Sequence, residues 1–234
     1  MPKIIFVHGE RGGVGKSTAA KAIMEARFES NIPFIGIDAD FSNVDVYHYF
    51  SKEKSYTEGI VQLDLTDDDG WVDLYSLMFN HKKLDFIIAL PAQIEFRINK
   101  NLEDFSGVLE ELDYDLNVVF MISRDLDCVS HINNMFDSYG AIINKLLIVK
   151  NGHCGGNNAK FTNWNDSKLR TKLLEQNNIQ DSYLHALNDK TKDAADELKK
   201  PFSKGLDSLS FGERYGLRKW MDKSKETFSF IESD

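Results

Sequence analysis

The sequence KIIFVHGERGGVGKST at residues 3–18 decides the fold. Its first six residues form a mostly apolar run, its middle is rich in glycine, and a helix-forming stretch follows it. A strand that passes through such a turn into a helix is typical of a phosphate-binding loop. Glycine lets backbone N–H groups turn towards phosphate oxygens, and the helix adds the positive end of its dipole. The stretch therefore predicts an α/β protein that binds a nucleotide.

The side chains of this loop have predicted roles in binding a triphosphate and Mg²⁺. Lys16 is expected to reach the β- and γ-phosphates, Ser17 to ligate Mg²⁺, and Thr18 to lie beside the α-phosphate. The backbone of the loop comes from Gly12, Gly13, Val14 and Gly15. The alternative is a glycine-rich turn between a strand and a helix that binds no ligand.

Further apolar runs follow at intervals that leave room for helices. They lie at residues 33–38, 84–90, 117–123 and 145–150, with a weaker candidate at 182–187. Because the runs are nearly continuous Ile, Val, Phe and Leu, they predict strands buried on both faces. Helical patterns lie at residues 17–29, 102–112, 129–139, 168–177, 189–199 and 212–225. We therefore predict a three-layer α/β fold, with a mostly parallel twisted sheet flanked by helices.

The composition is that of an ordinary globular protein, with 42% hydrophobic and 28% charged residues. Two cysteines cannot form a disulfide framework, and their spacing is not that of a metal site. The apolar stretches are far shorter than the ~18 residues that span a bilayer. A net charge of −9 argues against binding nucleic acid by bulk electrostatics. We therefore expect a reduced, cytoplasmic protein in one domain over residues 1–234.

The loop residues RGGVGKST at 11–18 resemble the deviant Walker A motif of the ParA/MinD ATPases, which begins with lysine. The stretch IGIDADFSNVD at residues 35–45 resembles the second motif of that family. KLLIVKNG at residues 145–152 resembles its late strand, and DKTKDAADELKKPF at 189–202 resembles its acidic segment before Lys-Pro. The chain is thus similar to this family over most of its length, and its small size suits the plasmid stability and conjugation branch with its StbB- and TraL-like proteins.

The resemblance implies roles for four residues. Arg11 takes the position of the lysine that reaches the phosphates of a dimer partner, and Asp40 matches the carboxylate that orients the attacking water. Asp38 matches the carboxylate nearer the metal, and Asn151 matches the residue that hydrogen-bonds the adenine edge. Each of these residues also has an alternative role without a ligand. Arg11 would be a surface arginine, the two aspartates would stabilise a turn or cap a helix, and Asn151 would cap a helix or turn.

Three residues near the phosphates and the metal depart from the family pattern. Glu10 stands where a standard P-loop has glycine, Arg11 replaces lysine, and Ala89 stands where the strand should end in aspartate. Asp85 lies about 13 Å away along the strand, too far to replace that carboxylate, so we expect Asp38 to compensate. ATP binding should survive, because the glycines, Lys16 and Ser17 remain. Hydrolysis is expected to be weak or to depend on a partner.

The resemblance further implies an ATP-dependent homodimer that positions or segregates DNA in plasmid partition, stability or conjugation. Its expected partners are a DNA-binding adaptor protein and, as a further option, DNA itself, in the bacterial cytoplasm and at the nucleoid. One alternative is a nucleotide-binding scaffold that does not hydrolyse ATP, and another is an ATP-dependent enzyme for a small molecule. Membrane binding is not expected, since the apolar residues near the C-terminus are predicted to pack on the domain. Residues 56–80 resemble no motif of the family, and a role in partner specificity is an option for this segment.

Overall fold

The computed structural model describes residues 1–51, 59–154 and 160–233. Within these residues, seven strands form one sheet. They are β1 (Lys3–His8), β2 (Phe34–Asp38), β3 (Ile60–Gln62), β4 (Asp85–Ala89), β5 (Asp115–Ile122), β6 (Ile143–Asn151) and β7 (Ile179–Leu184). The order across the sheet is β3-β2-β4-β1-β5-β6-β7, and every pairing is parallel. The predicted α/β fold with a parallel sheet is thereby confirmed.

Helices cover both faces of this sheet, as parallel connections require. The six that precede β6 are α1 (Lys16–Glu29), α2 (Asp45–Phe50), α3 (Asp68–Asn80), α4 (Glu95–Lys100), α5 (Leu102–Leu112) and α6 (Cys128–Tyr139). Those that follow β6 are α7 (Thr162–Asn165), α8 (Lys168–Leu174), α9 (Asp189–Glu197), α10 (Phe202–Gly205) and α11 (Phe211–Glu232). Short 3₁₀ turns at Gly140–Ile142 and Leu206–Ser208 complete the described elements.

Two buried apolar clusters hold the three layers together. Alternate residues of β1 serve opposite clusters, with Ile4 and Phe6 on one face and Ile5 and Val7 on the other. The first cluster joins the sheet to α3, α5 and α6, and the second joins it to α1, α2 and α11. A strand that contributes side chains to two apolar clusters has no polar face. This is why the strands appear in the sequence as continuous apolar runs.

The predicted elements differ from the structure in several places: α11 ends at Glu232 rather than at residue 225, and the short helices α2, α4, α7 and α10 were not predicted. β7 begins and ends three residues before the predicted 182–187, and α8 ends at Leu174 rather than at residue 177. β3 and α3 were not predicted, and they account for much of the segment 56–80. Residues 56–58 of that segment lie outside the described residues.

The last helix, α11, packs on the domain as predicted. Its buried apolar residues are Leu217, Trp220, Met221, Phe228 and Ile231, and they lie in the same cluster as α1. Its C-terminal end is fixed by Arg27 of α1, which pairs with Glu232 of α11 and Asp85 of β4. Among the helices of the described residues, none has the length and apolarity needed to cross a membrane.

Candidate functional site

A cavity of about 610 Å³ opens at the carboxyl edge of the sheet. The phosphate loop and the start of α1 supply one wall, with Gly12, Gly13, Gly15, Lys16, Ser17 and Thr18. Asp40 adds a carboxylate, and Asn151 lies at the end of β6. Nine of the predicted site positions are these eight residues and Val14, whose carbonyl binds Asn151. The fold therefore brings eight of the predicted residues to this cavity, whereas Arg11, Val14 and Asp38 do not line it.

The loop presents backbone donors and a buried cation to the cavity. Gly13 has φ 75° and Gly15 has φ 102°, values that favour glycine. Gly15 is also the N-cap of α1, and no side chain caps the first N–H groups of this helix. Such groups carry partial positive charge and suit an anion.

Lys16 is the buried cation of this loop. Its ammonium donates to the carbonyl oxygen of Arg11 at 3.2 Å. Burial lowers the pKa of Lys16, while the charges of Asp40 and Glu10 act in the opposite direction. Within the described part of the chain, no carboxylate makes a salt bridge to this ammonium. The arrangement leaves a positive charge that a phosphate could neutralise.

Asn151 holds the phosphate loop against β6. Its Nδ2 donates to the carbonyl oxygen of Val14 at 2.8 Å, and its Oδ1 accepts from the backbone N–H of His153 at 3.0 Å. A Cβ on Gly15 would collide with this amide. Each amide atom retains one further hydrogen-bonding position, so the contact with an adenine edge stays a prediction beside this structural role.

The two aspartates at the end of β2 and just beyond it have different surroundings. Asp38 is buried, and its carboxylate accepts from the backbone N–H groups of Tyr47 at 2.9 Å and Asp40 at 3.3 Å. Burial raises the pKa of its carboxyl group, and these hydrogen bonds oppose the shift. Asp40 reaches the cavity, and its Oδ1 accepts from the backbone of Ser42 and Asn43. The turn chemistry considered for both is therefore present, and their roles with metal and water stay predictions.

Ala89 lies directly beside Asp38 in the sheet register. Asp38, the carboxylate expected to compensate for Ala89, thus lies at the same level on the neighbouring strand, but it does not line the cavity. Asp85 lies at the opposite end of β4, where it accepts from the backbone N–H of Lys3 at 2.7 Å and pairs with Arg27 at 2.6 Å. The prediction that Asp85 cannot take the place of the missing aspartate is confirmed.

Arg11 points away from the cavity. Its guanidinium pairs with Asp125 at 2.8 Å and with Asp127 at 2.6 Å, both between β5 and α6. All three side chains are about half exposed. The structure thus places Arg11 on acidic groups of its own chain, and contact with a partner's phosphates stays a prediction.

The far wall of the cavity was not identified from the sequence. It is formed by the end of β7, by residues that follow β6 and β7, and by α9, α10 and α11: His153, Leu184, His185, Leu187, Lys192, Ala195, Asp196, Phe202 and Trp220. The resemblance at residues 189–202 indicated this region without assigning a side chain. Trp220 donates from its indole to the carbonyl oxygen of His185 at 2.8 Å, so α11 fixes this wall. Five of these residues, Leu184, Leu187, Ala195, Phe202 and Trp220, add apolar surface to the cavity lining.

Comparison with known proteins identifies one relative that aligns over almost the whole chain. The chain is 31% identical over 233 residues to Protein MobD of Acidithiobacillus ferrooxidans, an alignment that covers 97% of both proteins. No protein-family model matches the sequence. An identity of this level over this length shows common family membership.

Two solved structures share the fold. One is the septum site-determining protein MinD of Pyrococcus horikoshii, complexed with Mg-ADP, with 13% identity, a TM-score of 0.57 and full coverage of both chains. The other is the signal recognition particle receptor FtsY of Elizabethkingia anophelis, with 13% identity and a TM-score of 0.51 over 94% of this chain and 66% of that one. The expected likeness to ParA/MinD proteins is thereby confirmed at the level of the fold.

Proposed function

This chain belongs to the family of Protein MobD, and from this premise and the phosphate loop we propose that it binds ATP with Mg²⁺ as a nucleotide-dependent switch. The observation that carries the proposal is the buried ammonium of Lys16, beside the uncapped start of α1 and open to the cavity. Since MinD, which shares the fold, was solved with Mg-ADP, a nucleotide in this cavity is consistent with both fold and charge.

The two ends of the cavity suit the two ends of a nucleotide. Backbone N–H groups at Gly13 and Gly15, together with Lys16, suit the phosphates. The opposite wall, with Leu187 and Trp220, offers apolar surface to a base. We therefore propose that the phosphates lie on the loop and the base lies towards α11, with Asn151 between them.

Magnesium would be held by few protein groups. The hydroxyl of Ser17 and the carboxylate of Asp40 both line the cavity, and such oxygen donors are what Mg²⁺ prefers. No group of three or more His, Cys, Asp or Glu that could hold a metal exists in the described ranges. This fits an ion that keeps several waters and binds through phosphate oxygens. When bound, Mg²⁺ would neutralise charge on the phosphates.

Hydrolysis is proposed to be slow. Asp40 and Lys16 both line the cavity, and in this proposal Asp40 would orient a water and Lys16 would stabilise charge on the γ-phosphoryl group. Ala89 supplies no carboxylate at the end of β4, and the carboxylate of Asp38 is held by backbone N–H groups. This last observation favours the second candidate, a scaffold that binds ATP without hydrolysing it.

The proposed switch is a homodimer that forms with ATP and acts on DNA through an adaptor. Exposed apolar side chains at Phe41, Phe96 and Leu126 follow β2, β4 and β5, whose carboxyl ends lie near the phosphate loop. Apolar surface of this kind suits a protein partner. The role in plasmid partition, stability or conjugation, and the cytoplasmic location, rest on the resemblance to ParA/MinD proteins.

A phosphate-release assay combined with light scattering tests the proposal. We expect the wild-type protein to release phosphate slowly and to gain dimer when ATP and Mg²⁺ are added, and Lys16→Ala to do neither. Lys83→Ala, which removes an exposed lysine next to the amino end of β4, is the matched control. Dimer formation with no release above that of Lys16→Ala would favour the scaffold, and absence of both would contradict the proposal.

A further inference from the structure

Four polar side chains, two of them buried and two partly buried, meet beside the phosphate loop. They are His8 at the end of β1, Glu10 in the loop, Glu95 at the start of α4 and Tyr139 at the end of α6. Both ring nitrogens of His8, the hydroxyl of Tyr139 and one carboxyl oxygen of each glutamate are buried without a hydrogen-bond partner among the described residues. Buried polar atoms of this kind are rare, so the cluster requires an explanation.

The central contact is between two carboxyl groups. Glu10 and Glu95 are neighbours, because β1 and β4 pair side by side and are followed by the phosphate loop and α4, and each carboxyl group shifts the pKa of the other. Two ionised carboxylates can only accept, so the contact is stable only when one of them carries a proton. His8 does not provide a neutralising charge, although its Nε2 lies 3.5 Å from Glu10. Burial, with the nearby Lys16 and His131, lowers the pKa of His8 to about 3, and the imidazole stays neutral.

The charges that face the pair come from each neighbouring element. Burial raises the pKa of Glu10, whereas His131 of α6, the hydrogen bond with Glu95, and Lys16 of α1 lower it. Burial and then the neighbouring Glu10 raise the pKa of Glu95 to about 7. Tyr139 is fully buried and its pKa lies well above the ordinary value, so it stays neutral. The pair therefore retains a proton at a pH where isolated glutamates have lost theirs.

We propose that Glu10 and Glu95 form a proton-binding site that ties the phosphate loop to α4 and couples nucleotide affinity to pH. The inference rests on the proposed function, because it assumes that the phosphates bind beside Lys16. The shared proton lies between one carboxyl oxygen of each side chain. Its loss leaves two negative charges that repel each other and break the tie.

The consequence for a bound nucleotide follows from the position of Glu10. Its charge acts on Lys16, the residue proposed to contact the phosphates. A second negative charge on the pair would oppose phosphate binding, and bound phosphates would in turn favour the protonated pair. We therefore expect nucleotide binding to be accompanied by proton uptake near neutral pH.

The tie also joins two segments of the cavity wall. Glu95 begins α4, and Pro91 and Ala92 just before this helix line the cavity. Glu10, which stands where a standard P-loop has glycine, thus contacts the segment that follows β4. Glu95 acts through Glu10 and is a positioning residue.

The first experiment needs no nucleotide. The thermal midpoint of unfolding is measured from about pH 5.5 to about pH 8.5 for the wild type, Glu95→Gln and the control Glu110→Gln, an exposed residue of α5. The pKa of Glu95 is raised on folding, so its contribution is full below the ordinary value of 4.5 and is lost as the pH rises through about 7. The amide introduced by Glu95→Gln keeps a donor for Glu10 at every pH.

The midpoint of Glu95→Gln minus that of the wild type should therefore increase with pH, while the difference for Glu110→Gln stays constant. A difference for Glu95→Gln that does not change with pH would overturn the proton site, whether or not a nucleotide binds.

The second experiment measures the affinity for mant-ADP over the same pH range. Between the low and the high end of the range, the affinity of the wild type should fall by a factor about tenfold larger than that of Glu95→Gln. A difference of this size corresponds to on the order of one proton linked to binding. Equal pH dependence in the two proteins would overturn the coupling. Absence of binding in every variant, with the midpoint difference intact, would instead contradict the proposed function and the coupling while leaving the proton site standing.

Discussion

Buried charged groups have different partners at the amino ends of the strands, the amino edge of the sheet, and at their carboxyl ends, the carboxyl edge. At the amino edge, the guanidinium of Arg27 is 4% exposed and pairs with Asp85 and with Glu232, both at 2.6 Å. At the carboxyl edge, Lys16 is buried without a salt bridge in the described residues, and Glu10 faces Glu95 without a donor. Arg27 is paired within the protein, as is Lys21, which lines the cavity and pairs with Asp45 at 2.7 Å, whereas Lys16 and the pair of Glu10 with Glu95 are left for something that binds.

The difference shows where stability and function lie in this fold. An unpaired buried charge or acceptor costs free energy, so its presence is informative where a ligand or a proton can supply the missing partner. Strands β1 and β4 extend from the amino edge to the carboxyl edge. The two sites compared are therefore attached to the same apolar core. Substitutions at the amino edge should therefore affect folding without affecting binding, whereas those at the carboxyl edge should affect binding, with or without a loss of stability.

The largest effect on stability is expected from Arg27→Met. This change leaves Asp85 and Glu232 without their cation, and breaking a buried pair typically costs about 3–5 kcal/mol. Urea unfolding measures this loss of stability. The affinity of the folded protein for nucleotide, measured without urea, should not change. Arg97→Met is the control, because its pair with Asp68 is long and exposed and should be worth less than about 1 kcal/mol. Equal losses for the two variants would contradict the comparison.

Gly15→Ala should disrupt the carboxyl edge. The residue has φ 102°, and the added methyl group would displace the amide of Asn151. We expect a loss of about 2–3 kcal/mol in unfolding free energy, together with loss of nucleotide binding. Gly107→Ala in α5 serves as the control, since a Cβ there meets no atom within 4 Å. That control should be neutral or should stabilise by up to about 1 kcal/mol. A Gly15→Ala protein that binds mant-ADP normally would count against the loop geometry.

Asn151→Ala tests how the loop is held. The substitution removes the hydrogen bonds to Val14 and His153, for an expected cost of about 1–3 kcal/mol. The substitution should accelerate amide hydrogen exchange, relative to the wild type, more in residues 9–15 than in the amino-edge residues around Arg27. Unchanged exchange in the loop would show that Asn151 does not position it.

The smallest effect on stability is expected from the double substitution Asp125→Asn with Asp127→Asn. These exposed pairs with Arg11 should contribute less than about 1 kcal/mol, and less still at high salt. Unfolding free energies at low and high ionic strength measure this. A loss above about 2 kcal/mol that salt does not reduce would mean that the arginine is structural.

Much of the fold could be predicted because five strands are buried on both faces. Runs such as Lys3–His8 are apolar whichever way a side chain points, so their positions are clear in the sequence. β7 was misplaced because it is an edge strand with polar residues, among them Asp181, which pairs with Lys150 and Arg170. β3 is only three residues long, and its pattern carries too little information.

The phosphate loop could be predicted because its chemistry is contiguous in the sequence. The contact of Glu10 with Glu95, by contrast, joins residues of two separate elements that meet only through the order of β4 and β1 in the sheet. The pairing of Arg11 with Asp127 and the hydrogen bond from Asn151 to Val14 have the same origin. Such contacts depend on tertiary structure, and no local pattern indicates them.

Calorimetric titration of Mg-ATP into the wild type and Lys16→Ala tests the central claim, that the unpaired cation at the carboxyl edge binds a triphosphate. We predict saturable heat with one nucleotide per chain for the wild type, and a loss of affinity of about 100-fold or more for Lys16→Ala, since a charged hydrogen-bonding contact is removed. No heat from the folded wild type, or equal affinity in the two proteins, would contradict the claim.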